Sequence, residues 1–486
     1  VTKGANRIEA ALAETLPLLP EERSWSFRDM LAVKSGLSIA TWGFLFGGAT
    51  GQLVGFVDGF IALFFGTAVG LGILFFALLL PVYRNGCESF VFLRSAFGPI
   101  GASLLAVPLV LGMVPFSAAI LSTMAGAATE EVLIGLSLFP ADSGLPLAAI
   151  MSFAVLGVSF LLAARGSDTL RLFNLATVPL LVLLSGGLLA AVFIEAGWDT
   201  ILAAAPPETR WDRPTRLMLA VELNIVAAIS WFGLVGNLMR YGQSARGATW
   251  GTWIGLVPVS LLPATAGLAS SLALGSPDPV QWMTPLVGPV LGLAMLLILI
   301  LANVSSAVGL LQGNVTTIIQ NFGAPIRQLG FAGMTGILCV IACLIIWFAT
   351  DALYARFYSI TASFGAIFAA CIGVLLADRL VLRRSKVDLA GLHDTAGGPY
   401  AFWLGVNPAA LIALAVGFAA YITLLEPVSQ TPNPAFRYLS ASLPAIAAAF
   451  AVHLALSRVV TIRARRGGYP GGRQAKLEIV DAEPAE

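Results

Sequence analysis

Apolar runs long enough to cross a bilayer recur along almost the whole chain, and that recurrence limits its fold more than any motif does. Stretches such as 61–80, 150–164 and 286–302 carry no charged residue, and a helix crosses ~30 Å of hydrocarbon in about 20 residues. Backbone groups in hydrocarbon must bond within the protein, so runs of this length are helices. Only 11% of the 486 residues are charged, against about a quarter in water-soluble domains. That is too little charge to coat a surface in water. The reading is an all-α integral membrane protein whose lipid-facing surface is the bilayer's partner.

The runs resolve into twelve spans, near 34–57, 60–82, 99–127, 146–164, 172–195, 216–239, 248–274, 285–312, 330–350, 354–378, 403–425 and 438–458. Residues 1–33 are polar and amphipathic and read as a cytoplasmic tail rather than a leader, as do residues 459–486. All but Arg210, Arg213, Arg216, Arg356 and Arg437 of the 27 lysines and arginines fall on the side of the two tails. Basic residues concentrate in cytoplasmic loops, so both termini are placed in the cytoplasm, in the inner (plasma) membrane. Asp58, Glu130, Glu131, Asp142, Asp199, Asp278, Asp351 and Glu426 fall outside. The basic clusters Arg383-Arg384 and Arg463-Arg465-Arg466 serve orientation and anionic lipid, and a net charge of +1 carries no message about nucleic acid.

Two spans break the pattern of plain apolar helices. Gly47, Gly51, Gly55 and Gly59 repeat at four-residue spacing in and just after the first span, where small residues let helices approach closely. The sixth span holds Glu222, Asn224, Ser230, Gly233, Gly236 and Asn237. Polar or glycine-interrupted spans at corresponding places in two halves point to an inverted repeat with a mid-membrane site. The expected organisation is therefore a five-plus-five repeat, 34–195 and 216–378, with broken helices 1 and 6 and two accessory helices within 403–458.

Catalytic constellations are missing from this pattern. His393 and His453 have no acid-base or metal partner at a useful spacing. Cys87, Cys339, Cys343 and Cys371 read as reduced packing residues, and no filter of repeated carbonyls or charged rings argues for a channel. The chain is expected to be no enzyme and to need no cofactor beyond a coupling ion. Nothing fixes its oligomeric state, and a monomer or weak oligomer is expected.

Three loops are more specific. After span 2 comes Gly86-Cys-Glu-Ser-Phe-Val-Phe-Leu-Arg94-Ser-Ala-Phe97-Gly98-Pro-Ile-Gly101. After span 6 comes Asn237-Leu-Met-Arg240-Tyr241-Gly-Gln-Ser244-Ala-Arg246-Gly-Ala248-Thr-Trp-Gly251, then Gly255. After span 10 comes Ala377-Asp378-Arg-Leu-Val-Leu-Arg383-Arg384-Ser-Lys-Val-Asp-Leu389, followed by Tyr400, Trp403, Gly405, Asn407 and Ala409. In this order, over about residues 20 to 425, they resemble the first nucleobase:cation symporter family, the cytosine, uracil, allantoin and hydantoin permeases. The chain departs from it at Asn237, where an acid is common, and at Arg379, where an aromatic often follows the aspartate.

The resemblance implies import of a small nucleobase-like heterocycle by cation symport, with a four-helix bundle rocking against a scaffold. It implies a sodium site at Gly36 and Ile39 of helix 1 and Ala302, Ser305 and Ser306 of helix 8. Carbonyl and hydroxyl oxygens suit a hard cation, although serines in membrane helices also bond to the carbonyl four residues back. Lys34, just before this stretch, reads as a lysine snorkelling to the interface; its buried alternative is an ammonium that replaces sodium in a proton-coupled carrier.

For the substrate, the resemblance implies a flat ring held between aromatics of helices 3 and 6. The helix-3 position carries Phe116, but the helix-6 aromatic and its glycine neighbour fall on Ala228 and Ala227. The amide positions of helices 8, 3 and 1 fall on Leu311, Ile120 and Ala40. Trp231 or Trp42 is then the candidate to complete the stack, and Glu222, Asn224, Ser230 and Gln312 are the polar candidates. The alternative is a proton-coupled carrier of an amino acid or other small nitrogen compound on the same fold, with Glu222 meeting an amine. On the stacking reading, Phe116→Ala is expected to weaken transport several-fold.

Overall fold

The computed structural model describes residues 16–140, 144–321, 328–395 and 397–470. The expectations for Lys3, Arg7, Glu9, Glu14, Asp142, Arg327 and the tail beyond 470 lie outside these residues, as does the side chain of Asp351. Among the described residues, eight helices are long and apolar enough to span a membrane: Phe56–Asn85, Pro99–Gly135, Ser167–Ala196, Ala245–Leu274, Val280–Asn321, Gly330–Ala349, Arg356–Leu382 and Ser442–Thr461. These are spans 2, 3, 5, 7, 8, 9, 10 and 12. The shorter apolar helices Leu147–Ala163 and Pro408–Leu424 are spans 4 and 11.

Spans 1 and 6 are each made of two pieces. Span 1 consists of Phe27–Ser38 (1a) and Thr41–Leu53 (1b), bent by 52°. It starts earlier than its hydrophobicity indicates, because Ser26 and Asp29 form a reciprocal cap: Asp29 N–H donates to Ser26 Oγ, and Ser26 N–H to Asp29 Oδ2. Span 6 consists of Arg213–Ile229 (6a) and Leu234–Met239 (6b), parted at Gly233, whose φ of +82° suits a residue without a side chain. Span 8 also bends, at Gly288, so that 280–287 lies apart from the long helix that follows.

The glycines of span 1b set its distance from span 7. A Cβ on Gly47 would lie 1.9 Å from the Ala264 carbonyl oxygen, and one on Gly267 would lie 2.1 Å from that of Phe44. The two backbones are in contact, as small residues in membrane helices permit.

Polar locks tie the spans together. At the basic end of the bundle, Glu88 caps the short helix Ser89–Phe97 by accepting from Phe90 N–H and Val91 N–H. The same carboxylate accepts from Asn237 Nδ2 of span 6b and from Thr317 Oγ1 and Asn321 Nδ2 of span 8. Asn237, where the family pattern favours an acid, is thus a donor to an acid supplied by the loop after span 2. Nearby, Arg383 pairs with Asp378 at 2.7 Å and lies over the rings of Tyr400 and Tyr469.

At the other end, Glu222 of span 6a is 1% exposed. It accepts from Ser442 Oγ at 2.6 Å and from the backbone N–H groups of Ala441 and Ser442. The carboxylate sits on the first turn of span 12, where the helix dipole favours a negative charge. Removing the Glu88 carboxylate leaves buried donors from three elements unmet, at about 1–3 kcal/mol for such groups. Glu88→Ala is therefore expected to lower the thermal midpoint of the solubilised protein and Glu88→Gln to lower it less. Equal midpoints for Glu88→Ala and the unaltered protein would remove this lock from the account.

Candidate functional site

The two breaks face one another across the middle of the bundle. At the span-1 break the chain leaves helical geometry at Ile39 and Ala40, freeing carbonyls of 1a and N–H groups of 1b. Span 8 meets both sets. Asn303 Oδ1 accepts from Thr41 N–H at 3.1 Å and Thr41 Oγ1 at 2.8 Å, acting as an N-cap for 1b from another helix. Ser306 Oγ donates to the carbonyls of Gly36 at 3.0 Å and Leu37 at 3.3 Å. Trp42 folds back so that its Nε1 donates to Leu37 O at 2.9 Å.

Ser305 Oγ donates to Asn174 Oδ1 of span 5 at 2.7 Å. Neither serine follows the pattern of Thr123, Ser159, Thr177 and Ser185, each bonded to the carbonyl four residues back. Ile39 and Ala302 pack together with Leu181. Gly36, Ile39, Ala302, Ser305 and Ser306 are all buried and meet where spans 1, 5 and 8 converge. The oxygens of this set are uncharged, which fits a hard monovalent cation.

Lys34 does not snorkel. It is 0% exposed, and its ammonium donates to Val235 O of span 6b at 3.0 Å. That carbonyl of span 6b meets it inside the bundle, and its stem packs against span 7 at Gly255.

Beside the convergence lies a cavity of about 120 Å³. Ser38, Trp42 and Phe46 line it from span 1, Ala227, Ala228, Ser230 and Trp231 from span 6, Met113 and Ser117 from span 3, and Leu310 and Asn314 from span 8. Trp42 and Trp231 meet edge to face, with centroids 5.4 Å apart and planes at 87°. The lining is apolar with scattered hydroxyls and the amides Asn224 and Asn314, and among the described residues no charged side chain belongs to it. A void of roughly 150 Å³ takes up benzene, so this one has room for a single small ring.

Several expected contacts lie elsewhere. Phe116 and Ile120 are buried in the main core, and the span-3 wall is built from Met113, Val114 and Ser117. Leu311 is likewise buried in that core, while Asn314, three residues on, brings an amide to the wall. Ala40 packs against Leu121, Ala307 and Trp42 behind the break. Gln312 lines a second cavity, of about 250 Å³, towards the basic end with Asn237, Tyr241 and Thr316. Glu222 is committed to span 12. Phe116 thus lies outside the cavity wall to which the two indoles belong, and Phe116→Ala is expected to act through packing.

The comparisons with known proteins agree with this fold. A family described as permeases for cytosine/purines, uracil, thiamine and allantoin matches residues 17–440. The chain belongs to that family. This permease is accordingly a transporter and not an enzyme. A hydantoin permease from Microbacterium maritypicum is 26% identical over 242 residues, 46% of this chain and 48% of that protein. The match thus spans about half the length of that curated relative.

Among solved structures, Mhp1, a nucleobase-cation-symport-1 family transporter closed around bromovinylhydantoin, superposes with a TM-score of 0.75 at 21% identity, covering 93% of this chain and 96% of that one. Its inward-facing form gives 0.75 at 19% identity, over 94% of each chain. A Na+-coupled sialic acid symporter gives 0.62 at 11% identity, over 94% of this chain and 96% of that one. These likenesses establish the fold, including its twelve helices with broken spans 1 and 6.

The permease's break at span 1 yields a direct test. Asn303→Ala takes away the acceptor for Thr41 and is expected to cost about 1–3 kcal/mol of stability, whereas Asn303→Asp keeps an acceptor and costs less. Denaturation midpoints of the two variants in detergent check this ordering, and the reverse order would refute the cap.

Proposed function

We propose that this permease imports a small, flat, uncharged heterocycle of the nucleobase or hydantoin kind together with a sodium ion, by alternating access across the plasma membrane. The observation that carries the reading is a cavity without charge, walled by Trp42 and Trp231 and adjoining the oxygens of Gly36, Ser305 and Ser306. A planar ring offers a π-face to an indole whatever its substituents, and such stacking is worth ~1–3 kcal/mol per base. Asn224, Ser230 and Asn314 supply the polar edge contacts. The sparseness of amides favours a ring less polar than cytosine.

Gly36, Ile39, Ala302, Ser305 and Ser306 hold the sodium in this reading. Each positive charge carried inward gains ~2.3 kcal/mol per 100 mV of membrane potential, enough to concentrate a neutral solute. The basic end of the bundle faces the cytoplasm, with both termini there.

One observation favours a second reading, the proton-coupled amino acid carrier. Lys34 places a buried amine two residues from Gly36, a protonatable group carried by the protein itself. The cavity argues against the amino acid part, because its lining offers no acid to an amine and Glu222 is occupied by span 12. Thr41 N–H, which would greet a carboxylate at the start of 1b, is taken by Asn303.

Two measurements test the proposal. In a thermal-shift screen, hydantoin- and nucleobase-like rings are expected to stabilise the protein, by ~2.7 kcal/mol at a hundred times Kd, and more strongly with sodium; stabilisation by amino acids instead would select the second reading. Uptake into proteoliposomes is expected to vanish without sodium. Uptake that persists without sodium and is abolished by a protonophore would defeat sodium coupling. Trp231→Ala is expected to weaken ring binding roughly five- to hundredfold.

A further inference from the structure

The convergence of spans 1, 5 and 8 contains a residue that the sequence pattern did not single out. Asn174 of span 5 is completely buried. Its Nδ2 donates to Leu170 O one turn back on its own helix at 2.8 Å, which fixes the plane of the carboxamide. The other end, Oδ1, accepts from Ser305 Oγ at 2.7 Å. A Cβ on Gly36 would lie 1.6 Å from that oxygen and 3.0 Å from Ser305 Oγ. Glycine at 36 is therefore what lets the amide oxygen reach the span-1 break.

A hydroxyl has one proton to donate and two lone pairs to offer. In a membrane helix the proton ordinarily goes to the carbonyl four residues back, as in Ser159 and Ser185. Ser305 instead gives its proton across to span 5, and its lone pairs are left for another donor or a cation. An amide suits this role, because its oxygen accepts the proton and, unlike a carboxylate, adds no charge to a site of neutral oxygens. The same atom is itself a hard oxygen within 2.7 Å of a proposed ligand.

We propose that Asn174 is a positioning residue of the coupling-cation site, holding the Ser305 hydroxyl with its lone pairs towards the ion and keeping the site neutral so that it selects a monovalent cation. This rests on the sodium reading above. It adds span 5 to the ion site, so that the ion ties a third helix to spans 1 and 8.

The test reads ion binding rather than transport. Purified full-length protein is titrated with sodium at constant ionic strength, using choline as the replacement, and followed by tryptophan fluorescence. Trp42 reports directly, because its indole N–H is bonded to Leu37 O at the break. The unaltered protein is expected to show a saturable response. Asn174→Leu, similar in size but without an acceptor, is expected to raise the sodium midpoint tenfold or more, with the melting temperature in choline changed far less than that in sodium.

Asn174→Asp keeps an acceptor and adds a charge. It is expected to lower the sodium midpoint at least threefold at pH 8 and to let calcium compete for the site. An unchanged midpoint in Asn174→Leu overturns the proposal. If that variant does not fold, an unchanged midpoint and no calcium competition in Asn174→Asp overturn it equally. Absence of any sodium response in the unaltered protein would instead fell the sodium reading itself, and the proposal with it.

Discussion

A helix interrupted inside hydrocarbon leaves carbonyls and N–H groups with no water to meet them, and each unmet group costs several kcal/mol. The organisation around the cavity depends on how this chain meets that cost at Ile39–Ala40. The acceptor for the start of span 1b is Asn303, and the donor for the end of span 1a is Ser306, both from span 8. Span 1 can be broken because span 8 passes the break with the right side chains at adjacent turns. A cluster of uncharged oxygens from spans 1 and 8 is then a consequence of the break.

The second break is held by different means. Gly233 turns the chain, Ser89 Oγ donates to the Gly233 carbonyl, and Lys34 donates to that of Val235. Span 1a is thereby tied to span 6b, and both to the Glu88 cluster at the basic end. Single side-chain bonds, from Ser89 at the start of a short helix and from Lys34, are easier to exchange than packed backbone contacts such as Gly47 against Ala264. On this physical ground, the basic ends of spans 1 and 6 are the natural places for the bundle to open, while the contact between spans 1b and 7 moves as one piece.

How much of this was legible in the sequence follows from the kind of signal each feature leaves. Long uncharged runs and the glycines of span 1 report on burial and close approach, and the spans and both breaks follow from them. Ser305 and Ser306 were reached through the family resemblance, since a pair of serines in an apolar span is by itself as readily explained by bonds to the carbonyls four residues back. Registers on span 3 were not legible. The segment Leu109–Met113 is a π-turn, and one additional residue turns everything beyond it by about 100°. The resemblance puts Phe116 on the wall, whereas the wall holds Met113 and Ser117. Asn174 left no signal, because a single amide in an apolar span has the same sequence appearance whether it faces its own backbone or a neighbouring serine. Lys34 was placed at the interface because charge near the end of a span suggests solvent, and Glu222 among the substrate candidates because an acid inside a span suggests function; the partners of both come from spans 6 and 12, distant in the chain.

The cavity and the ion cluster also constrain one another. A charged solute in a void lined by indoles, methyls and hydroxyls would lose its hydration without a paired charge, a cost of many kcal/mol. A neutral ring loses little hydration and gains stacking. On the proposed reading, an ion is dehydrated among the carbonyls and hydroxyls of spans 1 and 8 rather than in the cavity itself. Under that proposal the ion carries the electrical work and the ring carries the specificity. On that proposal, the ring site can be rebuilt for another heterocycle without disturbing the backbone groups that hold span 1 open.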